Sequence, residues 1–328
     1  MRETMASEKP DVLLLGPARP VFLDGLGAAF TVHRLPEQNP ETALAAIAPR
    51  LRAVAVSSVV DRVDAALMER LPRLEIVSTF GVGYDHIDAR HAGAHGIVVT
   101  NTPDVLTEEV ADTAIGLLLC TAREFVKAER YVRAGKWRER GYPLSKASLR
   151  NRTVGLVGMG RIGKAIGRRL DGMRVPVVYH ARRAAADVPY KHYPILLEMA
   201  RAVDVLLVIV PGGAETKNMI NREVLEALGP QGILINMARG SVVDEPALIE
   251  ALQKRTIYSA GLDVFANEPD VPKELLDMDH IVLFPHLGSS TEVTRAAMDQ
   301  MVVDNILAWA TGKPPLTPVA ETPYLRKR

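Results

Sequence analysis

The chain has 328 residues, 48% of them apolar, with a formal net charge of +1. That length suits about two domains of ordinary size, and the charge balance points to no nucleic-acid surface, acidic tail or disordered chain, so function is sought in discrete sites. A single cysteine, Cys120, excludes an internal disulfide and any multi-cysteine zinc or iron–sulfur centre; its apolar surroundings read as those of a small buried hydrophobe.

At the start of the chain, "MRETMASEKPD" is polar and charged and lacks the apolar core a signal peptide needs. No run of about 18 uncharged apolar residues occurs further on, so a cytoplasmic protein without membrane attachment is expected. Short β-rich runs then alternate with helical patterns: "DVLLLG" at 11–16, "FTVHRL" at 30–35, "AVAVSS" at 53–58, "LEIVSTF" at 74–80 and "GIVVTN" at 96–101. Strands apolar on both faces and separated by helices imply βαβ units around a parallel sheet, one small α/β domain.

Residues 101–137 carry a long helical pattern, with Thr107 as its expected N-cap and Glu108 and Glu109 at the positive end of its dipole. Apolar residues from Val110 to Leu119 spread around most of the helix. Such a helix must be buried on most sides, against its own domain or a second copy, and the second is expected.

A second alternation occupies the rest: "TVGLVGMG" at 153–160, "VPVVYH" at 175–180, "VDVLLVIVP" at 203–211, "GILINMARG" at 232–240, "YSAGLDVF" at 258–265 and "IVLFPH" at 281–286. Five or six strands separated by helices make a doubly wound sheet. The remaining tail reads as one amphipathic helix and a Pro-rich coil.

Within "VGLVGMGRIGKAIGRRL", Gly158, Gly160 and Gly163 form G-x-G-x-x-G between an apolar strand and a helix. In that context Gly158 makes the tight turn, Gly160 admits a pyrophosphate to the backbone, and Gly163 lets helix pack on strand. The helix N-terminus then offers N–H groups and positive potential to the phosphates.

Roughly twenty residues further on, an acid should bind the adenosine ribose hydroxyls if the cofactor is NAD. Here the strand ends in Tyr179-His180-Ala181 and no carboxylate comes before Asp187, while Arg182 and Arg183 come at once. A guanidinium grips a phosphate with bidentate geometry. NADP(H) is therefore the preferred cofactor, with NAD(H) also admitted, and Arg182 rather than Arg183 is favoured for the 2′-phosphate.

Ligands of open α/β sheets lie beyond the carboxyl ends of the strands. Three ionisable residues fall there: Arg239 closing "GILINMARG", Glu268 in "ANEPD" and His286 after "IVLFP". A carboxylate orients an imidazole and favours its protonated form, and an arginine binds a carboxylate while polarising a neighbouring carbonyl. Together they suit reduction of a 2-keto acid.

"VGLVGMGRIG", "INMARGSVVDEPALIEAL", "AGLDVFANEP", "PHLGSST", "STFGVGYDHID" and "NTPDVLTEEVADTAIGLLL" resemble, in order along nearly the whole chain, the signature segments of the D-isomer-specific 2-hydroxyacid dehydrogenases. "NTPDVLTEEVAD", "VPGGAETKNMI" and the acid-free "YHARR" are most similar to the NADPH-preferring glyoxylate/hydroxypyruvate reductases. The resemblance implies two doubly wound parallel-sheet domains with the active site in a cleft between them. A flavodoxin-like substrate domain would take residues 1–102 plus 288–328, and a Rossmann-like NAD(P)-binding domain residues 103–287, with hinges near Thr102-Pro103 and His286-Leu287-Gly288. It also implies a homodimer through the nucleotide domain, in agreement with the apolar helix of 107–133.

By the same resemblance His286 is the general acid, Glu268 its partner, and Arg239 the ligand of the keto acid, whose carboxylate also meets the N–H groups of Val82 and Gly83. Asp263 accepts from the nicotinamide carboxamide, Val210, Pro211 and Thr216 line the cofactor, and Ala238 and Gly288 contribute backbone contacts. Arg161, Ile162, His180 and Thr107 complete the expected cofactor set, and Trp137 is a substrate-pocket residue lent by the partner subunit. Side chains near Ser57 to Val59 and Leu106, with Trp137, choose the substrate, so D-lactate, phosphoglycerate, phosphonate and formate dehydrogenases stay as rivals within the family. A dinucleotide-sensing corepressor is a remoter one.

Overall fold

A computed structural model describes residues 9–324; the first eight residues of the polar N-terminal segment lie outside the described residues. The chain divides into two compact units, one taking the residues up to Leu106 and again from Thr291, the other Thr107–Ser290.

The first unit is built on five parallel strands: β1 (Asp11–Leu15), β2 (Thr31–His33), β3 (Leu51–Val56), β4 (Ile76–Thr79) and β5 (Val98–Thr100). Their spatial order is β2-β1-β3-β4-β5, the flavodoxin-like doubly wound arrangement. All four residues of β4 are buried, as a strand covered by helices on both faces requires. The nineteen-residue helix Glu292–Ala310 returns to this sheet and buries Met298, Val302, Val303 and Ile306. Its buried Asp299 holds Arg19 at 2.5 Å, and Arg19 also donates to the carbonyl of Ser57 at 2.8 Å. Beyond that helix the chain runs along β5, where Val319 donates to the carbonyl of Val99 at 2.9 Å and Thr322 Oγ1 accepts from the N–H of Val99 at 2.8 Å.

The second unit holds seven parallel strands: β6 (Val154–Val157), β7 (Val177–His180), β8 (Lys191–Tyr193), β9 (Val205–Val208), β10 (Ile233–Asn236), β11 (Ser259–Leu262) and β12 (Val282–Leu283). Their order is β12-β11-β10-β9-β6-β7-β8. Renumbered within the unit this is the 3-2-1-4-5-6 Rossmann order with one more strand at its edge. Strands β6, β9, β10 and β11 are buried at every residue, and their shared switch point lies between β6 and β9. Both sheets are parallel and doubly wound, as the alternating pattern implies.

Three local features depart from the sequence expectation of at most six strands in the second unit's sheet, one long helix after residue 101 and Thr107 as its N-cap. Strand β8, "KHY", carries no apolar run and is exposed or half-buried throughout; an edge strand is free of the patterning that marks central ones. The long helix is two, Thr107–Arg123 and Phe125–Arg133, broken at Glu124 with φ 57. That backbone turn is left-handed, and the Glu124 carboxylate accepts from Tyr258 Oη at 3.0 Å and from Tyr142 Oη at 3.2 Å, bonds a continuing helix would not place. Thr107 is the first residue inside its helix rather than the residue before it, and its buried hydroxyl has no hydrogen-bond partner.

Candidate active site

The turn after β6 places three glycines for different reasons. Gly158 has φ 113, and a Cβ there would lie 2.7 Å from the carbonyl oxygen of Ile209. At Gly163 a Cβ would meet the Gly158 carbonyl oxygen at 2.3 Å. Gly160 differs: a side chain there would meet nothing within 4 Å, and the residue is exposed. Packing inside the protein explains two glycines and leaves the third to something that approaches from outside. Gly160 is also the N-cap of the helix Arg161–Gly172, with no side chain capping it. The first turn, beside Arg161 and Ile162, is the N-terminal end of a helix that follows a glycine loop, a position that suits a pyrophosphate. The orphaned Thr107 hydroxyl is a second group whose partner the protein does not supply. On these observations the residues fit a dinucleotide.

At the end of β7, His180 Nδ1 lies 2.9 Å from the carbonyl oxygen of Tyr193, which fixes Nδ1 as the donor and leaves Nε2 as acceptor in the neutral ring. The next loop is held by Tyr179 Oη, which accepts from the N–H of Ala185 at 2.8 Å, and by His192 against the carbonyl of Ala181 at 2.9 Å. Asp187, the first carboxylate of that loop, pairs with Lys164 at 2.6 Å. The two arginines are exposed, and they differ: Arg182 Nη1 donates to Glu215 Oε2 at 2.8 Å, whereas Arg183 takes no part in that pair.

Beyond β10, β11 and β12 stand the residues of acid–base character. His286 Nδ1 and Glu268 Oε2 are 2.6 Å apart, and Glu268 Oε1 accepts the N–H of Phe265 at 3.0 Å, so both carboxylate oxygens are occupied. Burial pushes the Glu268 carboxyl up, but the hydrogen bond and charge of His286, the Phe265 N–H and the charge of Arg239 outweigh it and hold the group below the usual glutamate range. Arg239 is half-buried and its Nη1 donates to the carbonyl of Ala238 at 2.9 Å. Its charge helps hold the Glu268 carboxyl down.

Two residues build this geometry from below. Asn236, 1% exposed, accepts the N–H of Ala238 at 3.1 Å and donates to the carbonyl of Arg239 at 3.0 Å, which closes the turn that delivers the guanidinium. Asp263, 2% exposed, accepts the N–H groups of Leu287 and Gly288. Its carboxyl is pushed up by burial, against the pull of those two N–H groups and the charge of His286. The sequence pattern points to Asp263 only as a cofactor ligand and does not single out Asn236; a polar residue ending a fully buried strand is the one signal that marks the latter.

The other expected cofactor contacts are constrained by bonds within the unit. Thr216 Oγ1 donates to the carbonyl of Pro211 at 2.7 Å. The N–H groups of Ala238 and Gly288 are both donated, and the Gly288 carbonyl accepts from Thr113 Oγ1 at 3.2 Å. Val210 and Pro211 come after β9 beside Gly158, a Cβ at which would touch Val210 Cγ1 at 3.1 Å.

In the first unit, Val82 and Gly83 come after β4. Their turn is held by Thr102 Oγ1, which accepts from the N–H of Gly81 at 2.9 Å, and by Asn101 Nδ2, which donates to the carbonyl of Val82 at 2.8 Å. Ser57, near the expected substrate-selecting residues, spends its hydroxyl on the carbonyls of Leu15 and Pro17. Trp137 lies in the short helix Lys136–Arg138 and is 67% exposed, so the structure does not bring it to the other site residues.

The model of the D-isomer specific 2-hydroxyacid dehydrogenase NAD-binding domain matches residues 115–288. Glyoxylate/hydroxypyruvate reductase A HPR2 of Arabidopsis thaliana is 47% identical over 78% of the chain and 82% of its own length. Hydroxyphenylpyruvate reductase of Plectranthus scutellarioides is 42% identical over 94% of the chain and 98% of its own. Among solved structures, the NADPH-dependent glyoxylate/hydroxypyruvate reductase of Sinorhizobium meliloti, in complex with NADP and malonate, superposes with a TM-score of 0.93 and 50% identity, covering 98% of this chain and 99% of that one.

Proposed function

The chain belongs to the D-isomer-specific 2-hydroxyacid dehydrogenases, and from that premise we propose that it reduces glyoxylate or hydroxypyruvate to the corresponding 2-hydroxy acid with NADPH, NADH serving as the poorer donor. The observation that carries this reading is the 2.6 Å pair of His286 and Glu268, set at the carboxyl ends of the sheet whose first turn is the glycine loop.

When bound, the nicotinamide supplies hydride to the carbonyl carbon of the keto acid. The chain's own residues handle charge and protons. Glu268 occupies Nδ1 of His286, so in the protonated ring Nε2–H is the donor that can give its proton to the carbonyl oxygen as charge develops there. Arg239 holds the carboxylate and carbonyl oxygens and polarises the latter. The Gly158–Gly163 turn with Arg161 and Ile162 would hold the pyrophosphate, His180, Arg182 and Arg183 the adenosine end, and Thr107, Val210, Pro211, Thr216, Ala238, Asp263 and Gly288 the nicotinamide half.

The same reading includes a homodimer and a cytoplasmic location. The helix Phe125–Arg133 buries none of its residues. Of the ten large hydrophobics that stand exposed among the described residues, Phe125 and Val132 lie on this helix and Trp137 and Leu144 in the segment just after it. A concentration of that kind marks a surface that another chain covers, and a second copy is the proposed occupant, with Trp137 as its contribution to the substrate pocket. No helix among the described residues is long and apolar enough to cross a membrane.

The test is direct. Purified protein mixed with NADPH and either keto acid should consume NADPH absorbance, and absence of turnover with every small 2-keto acid would remove the enzymatic reading.

A further inference from the structure

Strand β7 ends without the acid that a ribose-binding Rossmann strand carries, yet a carboxylate stands there nonetheless. It comes from a different segment. The turn after β9, "PGGAET", is tightened by Thr216, whose hydroxyl bonds the carbonyl of Pro211 and whose N–H bonds the carbonyl of Gly213 at 3.2 Å. Gly213 has φ 127, a backbone conformation that favours glycine. This turn presents Glu215 to Arg182, with 2.8 Å between Oε2 and Nη1.

We propose that Glu215 is the residue that tempers discrimination between the two nicotinamide cofactors, a carboxylate brought by the turn after β9 to the place where β7 lacks one. The proposal rests on the cofactor reading given above. With a 2′-phosphate at Arg182, Glu215 is a like charge beside a dianion and opposes it. With a free ribose, the same carboxylate is an acceptor for the 2′- and 3′-hydroxyls, the service an acid at the end of β7 performs in NAD-binding relatives of the fold. Arg182 and Glu215 are 89% and 65% exposed, so their mutual hold is weak and yields to either ligand. The guanidinium has further N–H groups beyond Nη1 for the phosphate.

Glu215→Gln keeps an acceptor and removes the charge. Isothermal titration of NADPH and NADH into wild type and variant, with no substrate present, reads the two dissociation constants. The expected result is a rise in the NADPH-over-NADH affinity ratio of roughly three- to ten-fold, shrinking as salt is raised. A wild type that prefers NADPH and a variant whose ratio is unchanged would overturn the role of Glu215 and leave the cofactor reading intact. A wild type that binds NADPH no better than NADH would remove the cofactor preference itself, and this proposal with it.

Discussion

Asp263 holds Gly288 by a hydrogen bond of 3.0 Å from its N–H to Oδ2, while Oδ1 takes the neighbouring N–H of Leu287 at 2.8 Å. The residue just before this pair is His286, which has φ 51, a left-handed conformation uncommon for a residue other than glycine. The carbonyl of Asp263 accepts the N–H of His286 itself at 2.9 Å. One residue thereby fixes the backbone on which the imidazole is mounted.

Asp263→Asn turns one acceptor towards an N–H as a donor. It should lower kcat by about ten- to a hundred-fold, since the acid is displaced rather than removed, and cost about 1–3 kcal/mol of stability for the unpaired buried N–H. Steady-state kinetics and denaturant unfolding read the two effects; a variant with wild-type kcat would free Asp263 from any positioning role.

His286→Ala should lower the reduction rate by at least about a hundred-fold through loss of the general acid, with the NADPH dissociation constant within about two-fold of wild type. Retention of most activity would refute the proton-donor assignment.

The pH dependence stems from the His286–Glu268 pair. Glu268 is held below the usual glutamate range, chiefly because the bonds and charges of His286, Phe265 and Arg239 outweigh its burial. It therefore stays ionised through neutral pH, and reduction, which needs the protonated ring, falls as pH rises while oxidation of the 2-hydroxy acid rises. Glu268→Gln should lower kcat/KM for reduction, because the imidazole loses the carboxylate that orients it at 2.6 Å. Because the folded carboxyl is lowered, Glu268 contributes stability that is present above its unfolded value and lost as pH falls through the folded one. Acid unfolding of the same variant should consequently lose part of its pH dependence in that window.

Two glycines of one loop should respond oppositely to alanine. Gly160→Ala meets no atom within 4 Å, so the melting temperature should stay near wild type while NADPH affinity falls, because the methyl occupies the space of a pyrophosphate. Gly163→Ala would press on the Gly158 carbonyl oxygen at 2.3 Å and should destabilise the fold by about 1–3 kcal/mol. Calorimetry and cofactor titration on both variants separate the cases.

Arg182→Ala and Arg183→Ala resolve which guanidinium meets the 2′-phosphate. Each charge-assisted bond lost should weaken NADPH binding by roughly ten-fold, about 1.4 kcal/mol, and leave NADH nearly unchanged. If Arg183→Ala alone shows this, the sequence preference for Arg182 is wrong.

Much of this architecture is legible in the sequence because buried parallel strands must be apolar on both faces. Strands β6, β9, β10 and β11 stand out for that reason, and Arg239, Glu268 and His286 are found among the first polar residues beyond the ends of such runs. Strand β8 is not, since an edge strand need not be apolar. The break at Glu124 goes with bonds to tyrosines at 142 and 258, remote in sequence and so absent from the local pattern. Asn236 and Asp263 act through backbone N–H and carbonyl groups, which carry no residue identity. Glu215 is hidden for a similar reason: the acid sought at the end of β7 sits in another turn, 33 residues after its partner arginine.

The excursion of the chain between Leu106 and Thr291 has a consequence for synthesis. Residues 107–290 form their sheet from one uninterrupted stretch and can close their core as soon as they leave the ribosome. The earlier unit cannot. Its central strands β3 and β4 await the helix Glu292–Ala310, Ser78 awaits the carbonyl of Val302, and Arg19 awaits Asp299, 280 residues downstream. The part made first is thus finished last, and until then its apolar surface is exposed in the nascent chain, where it is prone to aggregate.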